Sequence, residues 1–497
     1  MALEPHNPAH ELRKIAVFGN GLAGQMCVAK LVQDLPQNIE VVFVESPTPS
    51  GEDIFYGTVT SPSSYDFLLN IGITEPVLLP QTNTAFSLGT RYVNWGAERR
   101  NWTQSFHRPL PIFNGVPFHH YLTRLRNASP EMSDLDAHII SVQAANKGVF
   151  AHPPEGQKTP LADMEYGYQF MPSAWRDLLS ETLKQTRVSR VSADVVSVER
   201  DGNQIKSVTL SDGKLITAEF FVDCLGPTSK LKHADAKYPS NRHLMAVSSV
   251  TPSTNLGDVC RSLTAKHYGW KSETPLQTGL HRLTIYEPDS EPAALADHAG
   301  FDGPPVKMPI GFVDTPWAGN CLTLGLGASA LEPLTPAPMM LLQRDLDRLV
   351  ELIPVSADMK VEAREYNRRF TDDYSHAALF HAAFFTSQPL EDSAYHQAAA
   401  AHPLPDKLLA KIEQFKTRGV MVQYDYEPFS QEDWTQLHIG MGRVPSRYDP
   451  LADRVSEGQL KNKLQQMSGA IDMVTSKMPP HHIYMSGLLR YLKEKHG

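Results

Sequence analysis

The pattern of apolar and polar positions becomes regular at Lys14. KIAVF is a short apolar run, GNGLAG a glycine turn, QMCVAKLVQDL a stretch with helical spacing, and EVVFVE a second apolar run. That order predicts strand, turn, helix, strand, one βαβ unit. Residues 1–11 are polar and read as a flexible tail. Pro and Ser punctuate residues 46–64, which predicts a loop, and a helical stretch follows near 64–80. In TNTAFSLGTRYVNWG (82–96), Phe86, Leu88 and Tyr92 fall on alternate positions. An extended segment with one buried face is expected there, with Ser87, Gly89 and Arg91 on the other face.

Further along, VSRVSADVVSVERDG and KSVTLSDGKLITAEFFVDCLG read as successive strands, with turns at Asp201-Gly202 and Asp212-Gly213. From Met339 to about Leu352 the spacing becomes helical. The C-terminal third is mostly helical, with irregular, proline-bearing stretches near 425–450. No internal repeat interrupts this order.

Composition narrows the class. The 497 residues suit several ordinary domains or one large interleaved enzyme. With 46 basic against 55 acidic residues, net −9, nucleic-acid binding is disfavoured. No apolar run approaches the ~20 residues that span a bilayer. MALEPHNPAHELRK lacks the basic and apolar regions of a signal peptide, so a cytoplasmic location is expected, with no membrane partner. Four cysteines, Cys27, Cys224, Cys260 and Cys321, form no CxxC pair, and free buried thiols are expected. His119-His120, His481-His482 and the pair His376 and His381 stand apart from Cys or carboxylate partners at metal spacing, so no metal site is expected. GAS at 327–329 lacks the second glycine of a nucleophile elbow, which argues against hydrolase chemistry.

GNGLAG carries the first chemical signal. A GxGxxG alone is weak, but here a strand precedes it, a helix follows it, and Glu45 ends the next strand about twenty residues on. Gly19 allows the tight turn, Gly21 lets a pyrophosphate approach the backbone, and Gly24 permits close helix–sheet packing. The helix N-terminus favours phosphate, and Glu45 can accept from a ribose hydroxyl. FFVDCLG, ending at Gly226, and NCLTLGLGAS, with Gly325 and Gly327, suit segments that return to a flavin late in the chain. FAD is therefore the expected nucleotide.

The order of motifs resembles the flavin-dependent tryptophan halogenase family, from the fingerprint nearly to the C-terminus. VESP (44–47), TNTAFSLGTRYVNWG (82–96), FVDCLG (221–226) and PWAGNCLTLGLGASALEPL (316–334) carry the likeness. EYNRRF (365–370), GMGRVPSRYDPLAD (440–453) and KMPPH (477–481) extend it. The resemblance implies an α/β fold, an FAD-binding dinucleotide module of the glutathione-reductase type merged with a largely helical substrate module. It implies a module over 12–350 with interleaved substrate-binding segments (about 82–165 and 230–310), and a mainly helical C-terminal module, 351–497, packed on it.

The resemblance also implies chemistry. FADH2 from a separate flavin reductase reacts with O2 to a C4a-hydroperoxide, halide attacks it, and hypohalous acid travels through a tunnel to an electron-rich aromatic substrate. No NAD(P)H module is evident in the chain, consistent with an external reductase. Flavin contacts carry over to Gly19, Gly21, Leu22, Ala23 and Gly24 at the phosphates, Glu45 and Ser46 at the ribose, Val195 near the adenine, and Leu334 and Met339 near the isoalloxazine. A homodimer is compatible with the sequence.

Several positions depart from the family pattern. The family's catalytic lysine falls at Ser87, whose short, uncharged hydroxyl is a poor substitute for an ammonium. Arg91 stays protonated and is expected to serve as a structural ion-pair residue. The family's glutamate falls at Thr335, and its halide-binding amides fall at Pro336, Ala337 and Pro338, of which both prolines lack an N–H. A proline-rich helix start accounts for the same residues without restoring donors. GWKSETPLQ (269–277) keeps Trp270 and Pro275 but has Ser272 and Thr274 where the family has Trp and Ile, a change expected to open the barrier between substrate and flavin. Thr58 stands at a usual glutamate, and His107 resembles a histidine that packs on indole, although a structural role is the commoner one for a loop histidine.

Three readings follow. The first is a flavin-dependent monooxygenase of this family acting on an electron-rich aromatic. The second is a working halogenase with relocated groups, for which Lys271 and Glu273 are of the right types. The third is a flavin-binding partner protein without turnover.

Overall fold

A computed structural model describes residues 12–46, 51–96, 99–126, 128–233, 242–253, 257–298, 300–301, 303–386, 393–400 and 404–496. The expected 1–11 tail lies outside them. The opening strand Lys14–Phe18 sits inside a six-stranded sheet, in the order Trp317–Ala318, Cys321–Thr323, Phe220–Asp223, Lys14–Phe18, Glu40–Glu45, Ser189–Ser192. All neighbours are parallel except the outermost pair, Trp317–Ala318 with Cys321–Thr323. Burial on both faces explains why KIAVF and EVVFVE are apolar without alternation. The helix Leu22–Asp34 covers this sheet and packs against helices Pro172–Leu183 and Ala337–Glu351.

The hairpin strands Val195–Asp201 and Gln204–Leu210 turn at Gly202, and Leu215–Ile216 follows Gly213, both glycines at positive φ as the Asp-Gly pairs predict. The helical region near 64–80 is two helices, Ser64–Asn70 and Glu75–Thr82, separated around Gly72 at φ +83°.

A second sheet of seven strands was not legible in the sequence. Its order is Val306–Pro309, His243–Pro252, Gly279–Tyr286, Gly269–Pro275, Arg261–Lys266, Gly89–Trp95, Arg100–Ser105. Several of its strands carry polar residues at half-buried positions; RSLTAK alternates buried and half-buried along its length.

The segment 82–96 differs from expectation. Ala85–Ser87 pairs with Gly167–Gln169, and after Leu88 the chain enters the seven-stranded sheet as Gly89–Trp95. The change of sheet occurs at Gly89, φ +144°, where a Cβ would lie 2.1 Å from the Gln104 carbonyl oxygen. Ser87 and Gly89 are both buried, so no single face is left outward.

Helices Lys360–Ala382, Asp406–Arg418, Gln431–Gly440, Glu457–Thr475 and His481–His496 make up most of the C-terminal part. Gln431–Gly440 falls where an irregular stretch was expected. A reciprocal cap starts it: Ser430 Oγ accepts from Asp433 N–H while the Asp433 carboxylate accepts from Ser430 N–H. The four cysteines are buried and free, and no helix among the described residues is long and apolar enough to cross a membrane.

Candidate active site

The glycine fingerprint adopts the geometry a pyrophosphate needs. Gly19 has φ +119°, and a Cβ there would lie 2.3 Å from the Cys224 carbonyl oxygen. A Cβ on Gly24 would lie 1.8 Å from the Gly19 carbonyl oxygen, so only glycine lets the turn close beneath the helix. Leu22 and Ala23 open the helix and are buried. At the ribose end, Arg190 grips Glu45 with Nε to Oε2 at 2.9 Å and Nη2 to Oε1 at 2.6 Å, leaving lone pairs for further donors. Ser46 Oγ bonds Asp194, which puts Val195 beside this end of the cleft. From the other direction Gly325 reaches the fingerprint helix, where a Cβ on it would lie 2.7 Å from Ala23 Cβ.

One feature opposes a nucleotide in this cleft. The short helical turn Gly51–Tyr56 carries Asp53, and the Leu22 N–H donates to its Oδ1 at 3.1 Å and Oδ2 at 3.0 Å. The carboxylate thus takes the place a phosphate oxygen would take at the helix N-terminus. Burial pushes the Asp53 carboxyl up to about 7, against the lowering effects of the Leu22 N–H and the Arg176 guanidinium. Glu52 lies beside Gly226, where a Cβ would meet its Oε2 at 2.4 Å. The cradle fits FAD, on condition that the Asp53 carboxylate gives up the Leu22 N–H.

The loop that follows is organised around Arg261, which is 1% exposed. Its Nη1 donates to the Pro333 carbonyl at 2.9 Å and its Nη2 to the Leu334 carbonyl at 2.6 Å, with Thr90 Oγ1 at 3.3 Å. Tyr92 OH donates to the same Leu334 carbonyl at 2.8 Å. Among the described residues the guanidinium has no carboxylate partner, and its Nε has no acceptor. Burial lowers it to about 10. Leu334 and Met339 are fully buried on either side of Thr335.

Thr335 Oγ1 lies 2.8 Å from His381 Nε2 and accepts from the Ala337 N–H at 3.2 Å. Burial and the nearby Arg261 charge drive His381 down to about 3, so the imidazole is neutral. Of the run Pro336-Ala337-Pro338, only Ala337 owns an N–H, and Thr335 takes it. Ser87 is equally committed: its hydroxyl donates back to the Gly89 carbonyl at 3.2 Å.

Thr335, Pro336 and Ala337 line a cavity of about 470 Å³, with Met340, Phe106, His107 and Phe429 among its other walls. Ser87 is not among its lining residues. The tertiary structure therefore brings Thr335 to the cavity and leaves Ser87 in the sheet beside it. His107 Nδ1 donates to the Arg108 carbonyl at 2.6 Å, so its Nε2 accepts from Gln436 Nε2 at 3.1 Å. That assignment makes His107 a hydrogen-bonded wall residue of the cavity.

The remaining departures are packed into the protein, most of them with a partner. Thr58 Oγ1 and Thr274 Oγ1 are 2.6 Å apart, both buried. Ser272 is fully buried and its hydroxyl has no partner among the described residues. Ser272 and Thr274 are both fully buried and neither lines the cavity. Lys271 donates to the Asp297 carbonyl at 2.8 Å, and Glu273 pairs with Arg282 at 2.9 Å; both are held by the sheet surface and neither lines the cavity. Arg91 pairs with Asp258, a structural role.

Asp53, Arg261 and His381 escaped the sequence reading as site residues. Asp53 sat in a stretch read only as loop. Arg261 looked like an ordinary strand charge, and His381 was weighed only as a metal ligand. The one available signal was the acidic pair Glu52-Asp53 shortly after the ribose-binding strand.

A parallel βαβ sheet with a glycine-cradled turn, a late chain return to that turn, and a cavity beside Thr335 define an FAD-dependent oxidoreductase. The tryptophan halogenase family profile matches residues 14–457. The chain belongs to that family, whose enzymes use FADH2 supplied by a separate reductase. It is similar to tryptophan 7-halogenase KtzQ of Kutzneria sp. (strain 744), at 23% identity over 89% of this chain and 92% of that one. Among solved structures it is similar to BrvH, a flavin-dependent halogenase from Brevundimonas sp. BAL3, with TM-score 0.87 and 23% identity, covering 96% of this chain and 99% of the other. Xcc4156, a flavin-dependent halogenase from Xanthomonas campestris, gives TM-score 0.86 and 23% identity over 96% and 98%.

Proposed function

We propose that this chain is a monooxygenase that uses reduced FAD and O2 on an electron-rich aromatic substrate. Bound reduced FAD supplies the two electrons; one oxygen atom enters an aromatic C–H as hydroxyl, the other leaves as water, and FADH2 becomes FAD. The observation that carries this reading is the run 335–338, where the prolines own no N–H and Thr335 occupies the one from Ala337. An anion pocket built from consecutive amides has no donors there. Ser87 and Thr335, at the lysine and glutamate positions, are uncharged and bonded within the protein. Gly19, Gly21, Leu22, Ala23 and Gly24 would hold the phosphates, Glu45, Ser46 and Val195 the adenosine end, and Leu334 and Met339 the isoalloxazine.

The test is to incubate the protein with FAD, NADH, a flavin reductase, chloride, bromide and an electron-rich aromatic such as indole. Hydroxylated product is the expected outcome. Brominated or chlorinated product overturns the reading, as does tight flavin binding with neither product, which would mark a non-catalytic partner. One observation favours the halogenase alternative: Arg261 is a buried cation with no carboxylate partner among the described residues, next to Thr335 and His381. Bromide seated at that guanidinium in a halide-soaked crystal would move the balance.

A further inference from the structure

The segment between helices Asp406–Arg418 and Gln431–Gly440 brings Pro428, Phe429 and Ser430 to the cavity that Thr335 lines. It has no regular secondary structure from residue 420 to 430. Among the described residues, its one internal backbone hydrogen bond runs from the Glu427 N–H to the Tyr424 carbonyl at 3.3 Å. Irregular backbone of this kind keeps its shape where side chains hold it.

Lys411 and Glu427 hold it from inside the protein. Both side chains are 1% exposed, and the Lys411 Nζ lies 2.9 Å from Glu427 Oε1 and 3.1 Å from Oε2. Nζ also donates to the Val422 carbonyl, and the Tyr424 N–H donates to Glu427 Oε2 at 3.0 Å. The ammonium lies 4.8 Å from the centroids of both the Tyr424 and the Trp434 rings. Two buried charges thus hold one turn, where well-packed apolar side chains would often serve stability as well.

The backbone at this turn is strained. Tyr426 has φ +62°, a left-handed conformation that a bulky L side chain rarely adopts. Such a residue persists where its surroundings over-determine it, and Glu427 is the next residue along the chain. Two residues further, Phe429 stacks on Phe380 with ring centroids 3.8 Å apart.

We infer that Lys411 and Glu427 are positioning residues for the aromatic substrate: their ion pair locks the strained turn at Tyr426 and so sets the cavity wall made by Pro428 and Phe429. Neither residue of the pair lines the cavity, so both act through that wall. The inference rests on the aromatic-substrate reading above and adds what shapes the substrate's cavity.

The double substitution Lys411→Met, Glu427→Leu separates this role from a purely structural one, because it removes both charges and leaves apolar packing in their place. Calorimetric titration of the FAD-loaded variant with indole should show binding at least tenfold weaker than in the wild type, with FAD affinity within twofold. Adding Tyr426→Asn, whose side chain tolerates the left-handed conformation, should recover at least threefold of that loss. Glu427→Ala alone should speed hydrogen exchange of the amides of residues 422–427 at least tenfold and leave helix Gln431–Gly440 unchanged, a readout that needs neither ligand nor turnover. Wild-type indole affinity in the double variant, equal losses of indole and FAD affinity, no recovery by Tyr426→Asn, or unchanged exchange in Glu427→Ala would overturn the inference. Product analysis tests the parent reading separately: brominated indole would sink the monooxygenase reading and keep the latch, while hydroxylated indole from a double variant of wild-type affinity would do the reverse. A wild-type protein that binds no indole would remove both.

Discussion

Replacing Asp53 with Asn gives the sharpest test of the nucleotide cleft. In the wild type the carboxylate accepts twice from Leu22 N–H in a fully buried setting, which pushes its carboxyl up to about 7. A carboxyl whose folded pKa is raised gives stability that is full below its unfolded pKa near 4 and is lost as pH rises through about 7. At about 1.4 kcal/mol per unit, the charged form costs the fold roughly 4 kcal/mol at pH 8. Asp53→Asn removes the charge and keeps one oxygen for the Leu22 N–H. Its gain should be smaller than that ceiling, because the amide NH2 must also find an acceptor. Urea denaturation should show the variant more stable at pH 8.5, with an advantage about 2 kcal/mol larger than at pH 5.5. Flavin fluorescence titration at pH 8 should show FAD binding at least tenfold more tightly, since the pyrophosphate no longer meets a carboxylate at the same amide. An unchanged pH dependence of stability would refute the buried-carboxylate argument. Weaker FAD binding would refute the displacement argument and assign Asp53 to the cofactor site.

Substitutions at four other residues probe the rest of the site. Thr58→Val and Thr274→Val should each cost about 1–3 kcal/mol in urea denaturation by stranding the partner hydroxyl, and the double variant should recover most of that loss, a coupling of about 1 kcal/mol or more. Arg261→Met should destabilise the fold by about 2–4 kcal/mol, because the Pro333 and Leu334 carbonyls lose buried donors, and Arg261→Lys should not rescue it since one ammonium lacks the planar fork. Ser87→Lys should lower stability by about 2 kcal/mol or more by burying an unpaired ammonium, and mass spectrometry should find no brominated product, because Pro336 and Pro338 still lack N–H groups.

Much of the nucleotide cleft was legible because its causes are local. Gly24 is set by a backbone approach within one βαβ unit, although the Cys224 carbonyl against Gly19 comes from far along the chain, and the apolar runs around them carry the period of their own elements. The seven-stranded sheet was not legible: Gly89–Trp95 pairs with Arg261–Lys266 from far along the chain, and GWKSETP, although paired with its own chain neighbours, has no strong pattern of its own. The division of 82–96 between two sheets depended on two segments distant in the chain, Gly167–Gln169 and Arg261–Lys266.

The amino-acid sequence by itself determined the glycine turn, the acidic balance and the missing donors at Pro336 and Pro338, since a proline lacks its N–H in any fold. Only the tertiary structure decided that Asp53 answers Leu22, that Arg261 anchors the loop before Thr335, that Thr58 meets Thr274, and that Lys411 pairs with Glu427 beneath the turn before Phe429. Covalent structure and short-range sterics settle the first group within a few residues. The second group depends on which distant surfaces pack together, because burial, hydrogen bonding and charge act through space across long stretches of chain.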